Sequence, residues 1–328
     1  MIVFFFRKIA MPFKHNESRR DKIKKSRYKV PNWETYNQSL RNRGNITFWF
    51  TEEAIEKWHP EKSGKRGRPF EYSEHAISTA LLVREVFKLP LRQTEGFLNS
   101  IVSLMDVAIE IPDFSSISKR SGKLSRLVLN KAIKPGSHVI VDSTGLKVYG
   151  KDEWHQEKHK VKARRTWRKL HLAIDEKHQV IAVELTTPEV GDPTAIPDLL
   201  EQIGSDFDTF IADGAYDGEP IYQAILDKQG NAQVVIPPHK TAVISPQGNS
   251  QRDQHIRALE AHGRMNWQRR TGYNQRNHVE LAMRRFKGIF GNTLKARTLP
   301  QQKTEAWIAT QALNRMTQMG MPSSVKIS

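Results

Sequence analysis

Residues 138–149 read HVIVDSTGLKVY, an apolar β run with an aspartate set inside it. Strand alternation puts Val139 and Val141 on one side and Ile140 and Asp142 on the other. A carboxylate among apolar neighbours is costly unless it is paired or binds a cation, so the fold must bring positive charge to that strand. Residues 169–174 and 180–187 are two more strands around the turn DEKHQ, an antiparallel set of three. A helix opens at Asp192-Pro193, with Asp192 as N-cap and proline at the first position, and runs to about residue 203. Residues 207–212 form a fourth strand ending in Asp213, Asp217 caps a helix over 218–229, and 233–236 is a fifth strand. In a sheet with strands one and four as neighbours, Asp142 and Asp213 lie side by side at one edge.

Residues 273–287, YNQRNHVELAMRRFK, add a third carboxylate. As a helix at ~100° per residue, they place Tyr273, Arg276, Glu280 and Lys287 on one stripe. Val279, Met283, Phe286 and Phe290 form an apolar stripe beside it, as for a helix packed on a core. Alone, this helix also fits a surface element whose Glu280 pairs with Arg276 and Arg284. The two upstream aspartates decide otherwise. Three convergent carboxylates in a chain with no cysteine make an all-oxygen site, suited to Mg²⁺ with Mn²⁺ able to substitute. Two such ions ~3.5–4 Å apart activate an attacking hydroxyl and stabilise a leaving 3′ oxygen in displacement at phosphorus.

Charge points to the same chemistry. The 52 Lys and Arg outnumber the 35 Asp and Glu, a formal charge of +17 that favours a polyanionic partner. Without cysteine, disulfides and thiolate metal sites are excluded. No apolar run approaches the ~20 residues that span a bilayer, and a cytoplasmic, nucleoid-associated protein with no membrane role is expected. No Gly-rich phosphate loop or nucleophile elbow supports small-molecule metabolism.

Residues 1–63 read as a basic N-terminal arm, with MIVFFFRKIA at 1–10 as an upstream-start extension, a flexible stretch to about Gly44, and a short strand and helix in 46–60. After the linker GKRGRPF, residues 64–132 form a small all-helical domain. Ser73 caps its first helix, which stops at Leu89-Pro90; a second covers 91–104; a third, capped by Ser115 or Ser116, carries Lys119, Arg120, Lys123 and Arg126. Three short helices with a basic last one suggest a helix-turn-helix-like DNA reader. Residues 136–320 make the catalytic domain, with a polar insertion without periodicity at 239–270 and a closing helix over 301–319, followed by a tail at 321–328. Within it, the basic loop 151–169 with Trp154, Trp167, Arg164, Arg165 and Lys169 suits phosphate contact and base stacking.

Together these residues resemble the DDE transposases of bacterial insertion sequences, and insertion-sequence family five most of all. Tyr273, Arg276, Glu280 and Lys287 match the signature Y-x2-R-x3-E-x6-K; Asp142 in VDSTGLKVYG and Asp213 in IADGAYDG are similar to the strand motifs of that group. The similarity extends over roughly residues 65–320. The resemblance implies an α/β, ribonuclease-H-like catalytic domain, a mixed five-stranded sheet with flanking helices, behind the helical DNA-binding domain. It implies that Asp142, Asp213 and Glu280 hold Mg²⁺, and that Tyr273, Arg276 and Lys287 steady DNA phosphates. Water would free a 3′-OH at the element's terminal inverted repeats, and that hydroxyl would attack target DNA within a homodimer or larger synaptic complex on double-stranded DNA. Lys169 and His171 would border the site, His171 more simply as a packed strand histidine. The alternatives are a ribonuclease-H-like endonuclease or resolvase that does not join strands, and a catalytically inactive DNA-binding derivative.

Overall fold

The computed structural model describes residues 27–61, 70–124, 137–148, 167–204 and 206–327. The chain before residue 27, most of the linker, Arg126 and the loop bearing Trp154, Arg164 and Arg165 lie outside them.

From Arg27 the expected arm is built into the fold instead of lying free. Strand β1 (Arg27–Lys29) is followed by helices α1 (Trp33–Asn42) and α2 (Glu52–Glu56). The reason is apolar: Trp49, Phe50 and Trp58 are buried in the main core, and the indole N–H groups of Trp49 and Trp58 donate to the carbonyls of Arg43 and Glu110. No strand forms in 46–60; Asn45 caps a 3₁₀ turn at Ile46–Phe48 there.

Helix α3 (Glu74–Phe87) starts where expected, Ser73 Oγ accepting from the Ala76 N–H, and stops at left-handed Lys88 before Pro90. Helix α4 (Leu91–Leu104) follows with the expected bounds. Helix α5 (Phe114–Ser121) is capped by Asp113, not by Ser115 or Ser116. The Asp113 carboxylate accepts from both backbone N–H groups and from both serine hydroxyls, which a single hydroxyl cannot match. Lys119 and Arg120 lie on α5, and Lys123 just past its end.

The rest is one sheet with helices on both faces. Its elements are β2 (His138–Val148), β3 (Trp167–Ile174), β4 (Val180–Thr186), α6 (Ile196–Gln202), β5 (Thr209–Ala212), α7 (Glu219–Lys228), β6 (Gln233–Val235), α8 (Gln251–Thr271), α9 (Asn277–Phe290), β7 (Thr293–Leu294), α10 (Leu299–Met319) and β8 (Val325–Ile327). The strand order is β4-β3-β2-β5-β6, antiparallel from β4 to β2 and parallel from β2 to β6, the ribonuclease-H-like arrangement. β8 pairs with β1 in a separate two-stranded sheet.

Strand alternation divides the apolar residues between two cores. Ile140, Leu170, Leu172, Ile174 and Ile211 face the layer of α9, α10 and α3–α5, while Val139, Val141, Ala173, Phe210 and Ala212 face α6 and α7. The three helices α3–α5 therefore share a core with the sheet, chiefly through α10, whose Trp307, Ile308, Ala312 and Leu313 are buried. Among the described residues no helix is long and apolar enough to cross a membrane.

Three local expectations are corrected. The insertion contains α8, which has a Ser250–Asp253 capping box and a kink at Gly263. It buries only Asp253, His255, Ile256 and Trp267, so it shows no apolar stripe to read. Asp192 is not an N-cap; Gly191 is, and Asp192–Ala195 is a 3₁₀ turn before α6. Asp217 does not cap α7 either, because its carboxylate is held by Arg252 at 2.7 and 3.0 Å.

Asn314 fastens α10 to the sheet, its side chain accepting from the Val180 N–H at 2.8 Å and donating to the Val180 carbonyl at 2.7 Å. Asn314→Leu leaves both buried backbone groups unpaired and should lower unfolding free energy by about 2–4 kcal/mol, measured by urea denaturation; an unchanged midpoint would refute this fastening.

Candidate active site

Strand β2 is exposed to a reactant where its neighbours stop. Along one edge it pairs with β5 over His138–Val141, and further on with β7 at Lys147 and Val148. Between them, residues 142–146 have no strand on that edge among the described residues. Asp142 lies at the start of this gap, and Asp213 follows the last residue of β5, Ala212, which pairs with Val141. The two aspartates are brought together by parallel pairing, as expected.

Helix α9 crosses the same face. Its Val279, Ala282, Met283 and Phe286 are buried against the core. At roughly 1.5–3 kcal/mol for each large apolar side chain, this face outweighs the ~0–1 kcal/mol of an exposed ion pair. Packing therefore fixes the helix, and the polar stripe takes the position packing leaves it. The signature segment is not a single α-helix: Tyr273–Arg276 is a 3₁₀ turn that leads into α9.

Arg276 is the centre of the site. Its Nη1 lies 2.9 Å from Asp142 Oδ2 and 3.6 Å from Asp213 Oδ2, and its Nη2 donates to Glu280 Oε1. The Asp142 side chain is 15 % exposed, whereas Asp213 and Glu280 are nearly half exposed, so the site is a pocket with an open rim. Burial pushes the Asp142 carboxyl up, opposed by the Ser143 N–H at 2.8 Å and by the Arg276 charge, while Asp213 and Glu280 add to the rise. Arg284 does not pair with Glu280.

The donor set fits a divalent cation: three carboxylates converge on one point, all oxygen, and a cationic group already stands between them. As placed, no set of three His, Asp or Glu side chains among the described residues is at metal-holding spacing. The guanidinium takes up that space.

Of the other signature residues, Lys287 lies on the site's face, its Nζ donating to Thr144 Oγ1 at 2.6 Å, and burial lowers its pKa. Tyr273 is buried, its ring 5.2 Å from that of Trp267 and 5.9 Å from the Arg276 guanidinium, and its hydroxyl pKa is pushed up to about 12, mainly by burial. It walls the guanidinium in; it is not a free phenol at the rim.

Lys169, His171 and Trp167 do not join this face. In the register of β3 they alternate with Leu170 and Leu172, so they sit on the opposite side of the sheet from Asp142. Lys169 Nζ is held by Asp192 Oδ1 at 3.1 Å and the Val190 carbonyl at 2.9 Å. His171 is buried, its Nε2 2.9 Å from Thr186 Oγ1. Trp167 covers Gly145, where an added Cβ would come within 3.1 Å of the indole. On α5, Lys119 and nearby Lys123 are exposed, but Arg120 donates to the Tyr72 carbonyl and stacks over Phe70 at 4.7 Å.

Thr144 escaped the sequence although it was within reach, being two residues from Asp142 on the same face. Asp192, read as structural with a role near the site as the alternative, accepts from Ser143 Oγ at 3.1 Å through its Oδ2, bracing the residue that hydrogen-bonds Asp142; only the fold brings that partner to it.

Comparison with known proteins gives two matches to family profiles described as "Transposase DDE domain", over residues 41–151 and 133–315. The second spans more than half of the chain. An uncharacterized protein of Aquifex aeolicus (strain VF5) is 32% identical over 90 residues, 27% of this chain, and the match spans only 26% of that relative's length. Two solved structures are distantly similar. The piggyBac transposase synaptic complex with hairpin DNA has a TM-score of 0.39 at 11% identity, covering 89% of this chain and 76% of that one. The Drosophila P element transposase strand transfer complex has 0.29 at 10%, covering 86% of each.

Removing the shared cation leaves three carboxylates facing one another. Arg276→Ala should cost about 1–2 kcal/mol, less than a fully buried pair because two partners are half exposed. In thermal melts with chelator the variant should unfold earlier than the wild type, and Mn²⁺ should raise its Tm by more. An equal Mn²⁺ response in both proteins would show that guanidinium and cation do not compete for one place.

Proposed function

This chain belongs to the DDE transposase family, and from that premise we propose that it cuts double-stranded DNA at the ends of a mobile element and joins the freed 3′ ends to target DNA. The observation that carries the reading is the convergence of Asp142, Asp213 and Glu280 on Arg276 at the open edge of β2. Dependence on a divalent cation goes with the family, and in this reading Asp142, Asp213 and Glu280 hold Mg²⁺. The chemistry a divalent cation supplies when bound there is activation of the attacking oxygen and stabilisation of the leaving one.

The protein's own groups do the positioning. Arg276, freed from the carboxylates as they take up the cation, presents a planar fork of donors that fits a phosphate. Tyr273 and Trp267 limit where that fork can go. Lys287 adds a second cation beside Thr144 along the same strand. Ser143, braced by Asp192, keeps Asp142 aimed at the reacting phosphate. In the first step water forms a bond to phosphorus and the 3′ oxygen leaves, taking a proton. In the second, that 3′-OH attacks a target phosphodiester, loses its proton, and the target's own 3′ oxygen departs.

Two element ends have to be held together for joining, so the working unit in this reading is a homodimer or larger complex on DNA, acting at the bacterial nucleoid. Lys119 and Lys123 of the helical module are free to meet the terminal repeat.

The test is incubation of labelled element-end duplex and a plasmid target with and without Mg²⁺. Mg²⁺-dependent end cleavage with joined products supports the reading, and Glu280→Gln should reduce both by about 10²-fold or more while leaving DNA binding intact. Cleavage without joining makes the protein a nuclease, and full activity in the variant would remove Glu280 from the site.

A further inference from the structure

We propose that the basic trough between the α3–α4 turn and the segment that follows α9 is a second track for the DNA backbone, some four base pairs from the reacting phosphate. It rests on the reading of the chain as a DNA-processing enzyme and assigns a surface that the catalytic site does not include.

Two adjoining cavities of about 390 and 720 Å³ share Arg84, Leu91, Lys295 and Arg297 and so form one continuous trough. One wall is the α3–α4 turn, the other residues 290–297. Five cations line it: Arg84, Lys88, Arg92, Lys295 and Arg297. Arg84 is committed to Glu85 at 3.1 Å, and Arg92 lies over the Phe114 ring at 4.3 Å. Lys88, Lys295 and Arg297 are exposed and have no ion-pair partner among the described residues. The acids that line the trough are already engaged. Glu85 is turned inward on Arg84, and the Glu305 carboxylate accepts from the backbone N–H groups of Lys295 and Ala296 at 2.8 and 2.7 Å.

That last contact makes the trough a built feature rather than a scatter of surface lysines. With its backbone gripped by Glu305, the 295–297 segment keeps both Lys295 and Arg297 in solvent at the trough's edge. Opposite, Lys88 is set in the left-handed conformation (φ 58°), and the turn is closed by the Leu89 N–H donating to the Arg84 carbonyl at 3.0 Å. Three unneutralised cations on two pre-set backbones match a polyanion better than any neutral partner.

Placement selects duplex DNA among polyanions. Helix α9 carries Glu280 in its first turn and ends at Phe290, on the trough's wall. Ten residues at ~1.5 Å each give about 15 Å, or roughly four base pairs at ~3.4 Å. Lys287 lies between the two. Arg276, Lys287 and the trough thus follow one helix axis, and a duplex held at the carboxylates would pass along them.

The experiment uses the full chain carrying Lys88→Gln with Arg297→Gln, compared with wild type and with Lys228→Glu, an equal change in net charge at the end of α7 on the other face of the sheet. Binding to a long element-end duplex is followed by fluorescence anisotropy without divalent cation across a salt series. The trough variant should bind about tenfold more weakly at low salt, and its slope of log K against log salt should be shallower by about 2; the far-side variant should match wild type. All three substituted residues are exposed, and equal melting temperatures would confirm folding. Wild-type affinity and slope in the trough variant, or an equal loss in the far-side one, would overturn the proposal. Either outcome differs from failure of the transposase reading, in which the wild type itself would not bind or cut.

Discussion

Three carboxylates gathered at one sheet edge repel one another, and in this chain the guanidinium of Arg276 touches all three and offsets part of that repulsion. The rest of the active site is arranged to keep that group there. Tyr273 and Trp267 back it, the buried face of α9 sets its height above the sheet, and the Ser143 N–H holds the second oxygen of Asp142. In the proposed function this arrangement is set for exchange. A divalent cation suits three oxygens better than a planar cation reaching each through a different edge, and the displaced guanidinium suits a phosphate.

The opening depends on how β2 is paired. β5 accompanies it as far as Val141 and β7 resumes at Lys147, so among the described residues the central strand of the sheet has an interrupted edge. A continuous neighbour would cover Asp142 and Thr144 with backbone and leave no room for a substrate. The short β7 is formed by the chain coming off α9, which closes the gap at one end and forms a wall of the basic trough.

The helical module and the catalytic sheet are joined by a shared core. α10 packs on α3 and on β4, and Asn314 hydrogen-bonds the edge strand. In the proposed function, a DNA-contacting helix on such a module would be held in fixed register with the carboxylates, linking recognition to chemistry by packing. The N-terminal segment from Arg27 adds to this through the two-stranded sheet of β1 and β8 and the Arg43 contacts to the end of α10.

Much of this was legible in the residues alone. Alternation in HVIVDSTGLKVY placed Asp142 opposite Val139 and Val141, and the helical stripe of Val279, Met283 and Phe286 oriented Glu280, because period two and period 3.6 are imposed by backbone geometry. The Y-R-E-K spacing and both aspartates identified the family. What sequence could not supply was which charge meets which. Asp192 and Asp217 each read as helix caps, since a cap is a local pattern, yet both are taken by distant partners, Lys169 with Ser143 and Arg252. α8 stayed invisible because a helix that buries so few side chains carries no periodic stripe. Lys169 and Trp167 read as DNA contacts, and only the register of β3 puts them on the face of the sheet opposite Asp142. Local periodicity is written in the order of residues; which carboxylate meets which cation is a property of the packed sheet, and only the tertiary structure decided it.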